Sequence, residues 1–295
     1  MDTHHGRAVC HAPRDRRGRP EHPPRRFGLV RDHSDEFLPA RAHDKRVPQV
    51  SQFAQPAEQL EVVVDRLREP DPGVDLDPLA RVIPVIEGIR AENPGVRVSI
   101  DTSKAAVAAA ALDAGAGYVN DVTALRGDPD MAALVAERGA DVCLMHMIGT
   151  PRTMQAEARY DDVVADVKAF LAERIEAAVA AGIARERIEV DPGIGFAKTI
   201  DHNLELLRRL RELTELGRPI VLGTSRKTFL GRITGRETAE RMPATLATVV
   251  MGYERGAEVF RVHDVAPARD ALAVAAATLA RGWPTTTPRT TTTTT

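Results

Sequence analysis

From about residue 95 onward, short apolar runs rich in Val, Ile and Leu each end in a polar residue, and each is followed by a longer stretch of helical period. The runs are Val98-Ser-Ile-Asp101, Tyr118-Val-Asn120-Asp121, Cys143-Leu-Met-His146, Val190-Asp191-Pro-Gly-Ile-Gly-Phe196, Leu222-Gly-Thr-Ser225-Arg226-Lys227 and Phe260-Arg261-Val-His263-Asp264. Strands covered on both faces are apolar nearly throughout, which is the signature of a parallel sheet flanked by helices. In such folds the residues at the C-terminal strand ends meet at one mouth, where active sites form.

The punctuation between the runs predicts where the helices lie. Asp77-Pro78 supplies an acceptor cap and a first-turn proline. A helix beginning near Lys104 stops at Gly115, and one opening at Asp128-Pro129 stops at Gly139. A long helix is predicted from about Asp161 to Gly182, with others near 201–216, 243–255 and 267–281, and glycines serve as stops.

Six βα units are secure by this reasoning, and a closed (β/α)8 TIM barrel needs two more. The remaining candidates are residues 27–30 and Leu60-Glu-Val-Val-Val-Asp65. The expected fold is therefore an α/β TIM barrel whose first two βα units are degraded or incomplete. The first 50 residues hold ten Arg, six Pro and six His without a sustained period. Three regions are predicted: an irregular segment over 1–75, the barrel over 76–283, and a Thr-rich disordered tail over 284–295. An Arg/Pro/His-rich, aperiodic start is also what a reading frame regained near residue 70 produces, and the nucleotide sequence across codons 1–80 checks that hypothesis.

Composition narrows the class. Net charge is −2, which disfavours a general nucleic-acid binder; residues 1–50 carry 11 Lys/Arg against 7 Asp/Glu, and the rest 29 against 35. Two cysteines, Cys10 and Cys143, make no disulfide framework and suit a cytoplasmic protein. No apolar stretch is long enough for a transmembrane helix.

The strand ends carry the candidate chemistry. Asp101, Asn120 and Asp191 offer two carboxylates and a carboxamide, a set suited to the amino-amidine edge of a flat heterocycle. Helix capping is the ordinary alternative for any one of them. The Asp191-Pro-Gly-Ile-Gly-Phe196 segment leaves its strand through two glycines, which permit a sharp turn and close approach to a ligand; Lys198 beyond it could be a surface residue. Ser225-Arg226-Lys227 directly follows a buried strand and would favour an anion if a helical turn begins there. Arg261 and His263 alternate to one side of their strand, where an anion such as diphosphate or an internal acid would satisfy them. His146 is read as a satisfied core histidine. There is no P-loop, dinucleotide fingerprint or zinc spacing.

Taken together, Ser99-Ile-Asp101-Thr-Ser-Lys, Val119-Asn120-Asp-Val, Leu144-Met-His146-Met, Gly149-Thr-Pro-Arg-Thr-Met154, Asp191-Pro-Gly-Ile-Gly-Phe-Ala-Lys198, Gly223-Thr-Ser-Arg-Lys227 and Arg261-Val-His263-Asp-Val resemble the dihydropteroate synthase family of pterin-binding TIM barrels. The resemblance spans about residues 75–281 and implies the joining of 6-hydroxymethyl-7,8-dihydropterin diphosphate to 4-aminobenzoate, with release of diphosphate, in folate synthesis. It implies that Asp101, Asn120, Asp191 and Lys227 hold the pterin, with Val122 and Met145 lining its slot. Arg261 would pack on the ring and touch the diphosphate, and His263 would help bind that group. Ser225 would take the aminobenzoate carboxylate, with Phe196 and Lys198 beside it. Lys227, Arg261 and His263 are the implied catalytic groups. Mg²⁺ would travel on the diphosphate, with no protein metal ligand assigned, and a cytoplasmic homodimer without nucleic-acid or membrane partners is implied.

Two family loops are rewritten. Arg31 stands where the family's first-strand loop has an Asn, and Asp65-Arg-Leu-Arg-Glu-Pro-Asp-Pro-Gly73 replaces a Gly-Gly-Glu-Ser-Thr-Arg-Pro-Gly type loop. The rival readings are an inactive pterin-binding paralogue and a pterin-domain methyltransferase that holds methyltetrahydrofolate.

Overall fold

The computed structural model describes residues 50–54, 60–65, 78–149 and 158–279. Eight strands form one sheet: β1 (Val50–Ala54), β2 (Leu60–Asp65), β3 (Arg97–Asp101), β4 (Tyr118–Asp121), β5 (Asp141–Met145), β6 (Ile188–Asp191), β7 (Val221–Leu222) and β8 (Val259–Val262). Their order is β6-β5-β4-β3-β2-β1-β8-β7, and a parallel bridge between Val190 and Ile220 joins the two outer strands.

The helices are α1 (Pro78–Glu92), α2 (Ala105–Asp113), α3 (Met131–Arg138), α4 (Val163–Ala180), α5 (Ile200–Arg208), α6 (Thr228–Thr234), α7 (Met242–Glu254) and α8 (Val265–Leu279). Their ends follow local chemistry. Asp162 caps α4 by accepting from the Val164 and Ala165 N–H groups, and Thr199 and His202 form a reciprocal capping box on α5. The segment expected as one helix near 201–216 is α5 followed by a 3-10 turn over Leu210–Leu216.

The first unit departs from the barrel plan. β2 occupies the strand candidate at residues 60–65 and lies parallel to β3, with Asp65 opposite Asp101. β1 runs antiparallel to both β2 and β8, with Ala54 opposite Leu60 and Phe260. Five residues link Ala54 to Leu60 at the floor end of the barrel, too few for the helix that joins parallel neighbours. The strand candidate at 27–30, Arg31 and the Thr-rich tail lie outside the described residues.

Strand pairing sorts side chains into two sets. Val98, Ile100, Val119, Val142, Leu144, Ile188, Val190, Ile220, Leu222, Phe260 and Val262 point outward and pack with the helices in the main core. Register places the alternate residues inside the ring, where Tyr118, Cys143, Val221 and Val259 form a separate small core. Beneath it, the Tyr118 hydroxyl donates to Glu189 Oε2 at 2.8 Å and Arg97 donates to Oε1 at 2.9 Å. Arg97 lies over the Tyr118 ring at 4.4 Å and also pairs with Asp141. The barrel thus has an ionic floor and an apolar plug, and the residues next along the same strands emerge above the plug.

Candidate active site

Those next residues are the predicted ones. Asp101, Asn120, Met145, Asp191 and Arg261 continue the inward-facing positions of β3, β4, β5, β6 and β8. The Asn120 amide donates to Asp101 Oδ2 at 2.8 Å. Arg261 Nη1 donates to the same oxygen at 3.0 Å, and its Nη2 lies 3.8 Å from Asp191 Oδ2. One guanidinium therefore spans two carboxylates from opposite sides of the ring. The gap it crosses passes Gly223, where an added Cβ would sit 3.5 Å from Arg261 Nε and 3.8 Å from Asp191.

Burial pushes the Asp191 carboxyl above the ordinary range, while Arg261, the Gly193 N–H and two lysines oppose that push. The Gly193 N–H bond to Asp191 Oδ1 measures 2.7 Å. From there the chain turns through Gly193 (φ +68) and Gly195 (φ +82). A Cβ on Gly193 would lie 2.0 Å from the His146 carbonyl oxygen, so only glycine fits this approach. The turn delivers Phe196, whose ring centre is 4.0 Å from Lys227 Nζ. Lys227 is pulled down to about 8 by burial and by Arg261, with Asp191 and Asp101 opposing.

The rim is built by the turn after β7, which leads into α6 at Thr228. Ser225 Oγ lies 2.8 Å from His263 Nδ1 and accepts the His263 backbone N–H at 3.1 Å. Arg226 holds a left-handed backbone (φ +56) and forms a two-oxygen pair with Asp264. Its N–H donates to Thr245 Oγ1, and its carbonyl accepts from Arg241. Arg226 thus builds the turn that points Ser225 and Lys227 at the mouth. Burial also lowers His263, with Arg226 adding to the effect.

Val122 is half-buried on a turn fixed by Asp121, which accepts from the Thr123 N–H, the Thr123 hydroxyl and the Leu125 N–H. Asp121 stays raised despite those bonds because it is buried. Lys198 follows Phe196 by two residues. It is buried, donating to the Phe196 carbonyl at 3.0 Å and lying 2.9 Å from His146 Nδ1.

The sequence argument left Asp121 and Gly223 without roles. Asp121 directly follows Asn120, and a buried Asp at a strand end was the available signal. Gly223 had a weaker one, a glycine between a strand and a polar turn. Among the described residues, no three His, Cys, Asp or Glu side chains come together to hold a metal ion.

The chain matches the family described as pterin binding enzyme over residues 52–263. It is 42% identical over 201 residues to the dihydropteroate synthase of Escherichia coli (strain K12), covering 68% of this chain and 71% of that protein. Xanthomonas albilineans dihydropteroate synthase in complex with 7,8-dihydropteroate is 44% identical, with a TM-score of 0.65 over 70% of this chain and 79% of that one. The Thermus thermophilus enzyme in complex with 6HMPPP is 44% identical, with a TM-score of 0.64 over 67% and 78%.

Proposed function

This chain belongs to the pterin-binding enzyme family, and we propose that its barrel mouth carries out the dihydropteroate synthase reaction. The observation that carries the reading is the Arg261 bridge between Asp101 and Asp191, set beside Lys227 at the C-terminal ends of the parallel strands. The two carboxylates and Asn120 meet the amino-amidine edge of the pterin. Lys227 faces a ring carbonyl or nitrogen, and Val122 and Met145 line the slot. Arg261 and His263 take the diphosphate, while Ser225 and Phe196 receive the aminobenzoate.

The chemistry asks for little else. The C–O bond between the pterin methylene and diphosphate breaks, and the diphosphate leaves with the electron pair. The arylamine forms the new C–N bond and gives up a proton. Charge stabilisation on the leaving group and positioning of the amine supply the catalysis. Mg²⁺ is proposed as the companion of the diphosphate, consistent with that ion's preference for phosphate and water oxygens. No step assigned to these residues passes through it.

Among the described residues no helix is long and apolar enough to cross a membrane; the proposed setting is the cytoplasm, and the proposed assembly a homodimer. The proposed division keeps residues 1–75 apart from a barrel domain over 76–283 and a tail over 284–295, although β1 and β2 belong to the barrel's sheet.

Calorimetry with the pterin diphosphate, followed by release of diphosphate in the presence of 4-aminobenzoate, tests the function. Binding with turnover is expected. A second reading, pterin binding without turnover, is favoured by antiparallel β1, whose C-terminal end lies at the floor and not at the mouth. Binding with no release of diphosphate selects that reading, and loss of both sinks the pterin site. Tight binding of methyltetrahydrofolate in place of the pterin diphosphate would select the methyltransferase rival.

A further inference from the structure

Lys198 is a buried cation without a place in the reaction just described. It lies at the far end of the turn that begins at Asp191, and its ammonium reaches back across that turn. It donates to the Phe196 carbonyl and meets His146 Nδ1 at the end of β5. An added Cβ on Gly193 would come within 3.4 Å of the same ammonium, so the group fills the inside of the turn. Both flanks are closed by rings. Tyr160 lies 5.9 Å from Lys198 Nζ and donates its hydroxyl to the Ala197 carbonyl. His146 meets Phe170 edge-on at 4.9 Å.

The turn has other ties, but they hold different atoms. Asp191 holds the Gly193 N–H, and Asn203 holds the Gly195 N–H at 2.7 Å. Lys198 alone among these bonds joins the turn to the end of a neighbouring strand, and it does so through the carbonyl of the residue whose ring lies against Lys227.

We propose that the Lys198–His146 pair is a positioning device, which locks the Gly193–Phe196 turn against β5 and so fixes the Phe196 ring over Lys227. Lys198 does not itself touch substrate. In substrate terms this rests on the synthase reading, because the ring it fixes is the aminobenzoate wall. His146 is depressed to about 3 by burial and by the lysine, so its ring is neutral, the state in which a ring nitrogen can take the ammonium's hydrogen bond. Lys198 itself is drawn down to about 7, chiefly by burial and then by Lys227, while Asp191 opposes.

The test compares the full-length protein with Lys198→Met and His146→Asn. Asn at 146 offers a side-chain oxygen near the position of the histidine Nδ1 and should preserve the tie. Backbone hydrogen exchange over Gly193–Ala197, with α4 as the internal reference, reads the turn directly and needs no substrate. Exchange there should rise on the order of tenfold in Lys198→Met, and KM for 4-aminobenzoate should rise by about as much, with kcat and pterin affinity changed less. His146→Asn should stay near the parent in both. Unchanged exchange in Lys198→Met overturns the proposal, and if KM rises all the same, Lys198 is a direct substrate ligand. If Lys198→Met does not fold, His146→Leu removes the acceptor and carries the same expectations. Should the parent protein release no diphosphate, the synthase reading fails, while the exchange comparison still decides this one.

Discussion

Asp101 and Arg261, 160 positions apart, meet at 3.0 Å across the mouth of the barrel, and the same carboxylate oxygen also accepts the Asn120 amide. Neither partner of the ion pair is more than a fifth exposed. A pair so shielded is held by its surroundings and is weakly screened by salt. It also holds a guanidinium ready for an incoming anion without reorganisation.

Removal of that guanidinium should therefore cost function. Arg261→Met keeps the stem and loses the charge, leaving Asp101 and Asp191 without their shared cation. The expected loss in kcat/KM is on the order of 10²–10³-fold, the range seen when one preorganised donor is removed. Steady-state kinetics with both substrates measure it; a loss under threefold would show that the diphosphate is gripped elsewhere.

Lys227 gives the reaction an alkaline limit. Its folded value of about 8 lies below the ordinary lysine value, so the free enzyme loses this positive charge as pH rises through 8. Plots of log kcat/KM should bend downward there, since that ratio reports groups on the free enzyme. Lys227→Arg, which stays charged, should remove the bend whatever its effect on the plateau. Lys227→Ala and Asp191→Asn should each weaken pterin binding about tenfold or more, as loss of a charged hydrogen-bond partner does. Unchanged affinity in both would count against the proposed pterin pocket.

Much of this site was legible in the chain because barrel topology does the gathering. A polar residue ending an apolar run must emerge at the mouth, so Asp101, Asn120, Asp191 and Arg261 could be grouped without coordinates. What could not be grouped depends on side-chain direction. Lys198 stands two residues from Phe196, and nothing in spacing says that its ammonium turns inward to His146. β1 was missed for another reason. Val50-Ser-Gln-Phe-Ala54 has two polar residues at its centre and no apolar run to signal a strand, and its place comes from pairing with β2 and β8.

Two buried lysines should also mark the stability curve. Lys198 and Lys227 have folded values of about 7 and about 8, below the 10.5 of an ordinary lysine. Between those values the unfolded chain binds more protons, so stability rises with pH across the window from about 7 to 10.5. Below pH 7 the full cost of burying the Lys198 charge is present. Urea midpoints at pH 6.5 and 9 should therefore differ less in Lys198→Met than in the parent; an unaltered difference would mean that Lys198 keeps an ordinary value.

The floor should separate stability from activity. Glu189 accepts from both Tyr118 and Arg97 beneath the apolar plug, on the side of it away from the mouth. Glu189→Leu removes the carboxylate that Tyr118 and Arg97 share, while Arg97 keeps its pair with Asp141, and should cost about 3 kcal/mol, the lower end of the range for breaking a buried pair. The KM values of the folded fraction should not move. A large KM change would show that the floor and the mouth communicate through Cys143 and Val221.

Gly193 and Gly139 offer a matched comparison, because both have left-handed backbones at φ +68 and +57. At Gly139, the stop of α3, an added Cβ meets nothing within 4 Å. Gly139→Ala should therefore cost only the backbone term, about 1 kcal/mol. At Gly193 the same methyl would be 2.0 Å from the His146 carbonyl, a backbone atom at the end of β5. The oxygen cannot swing aside as a side chain would, and that strand end is itself tied by the His146 N–H bond to the Asp191 carbonyl at 2.9 Å. Gly193→Ala must push the turn away from the strand, carrying Phe196 off Lys227. It should cost several times the Gly139 value in denaturant unfolding and should depress aminobenzoate turnover in whatever folds. Equal costs at the two positions would mean that the turn is free to move, and with it the wall of the site.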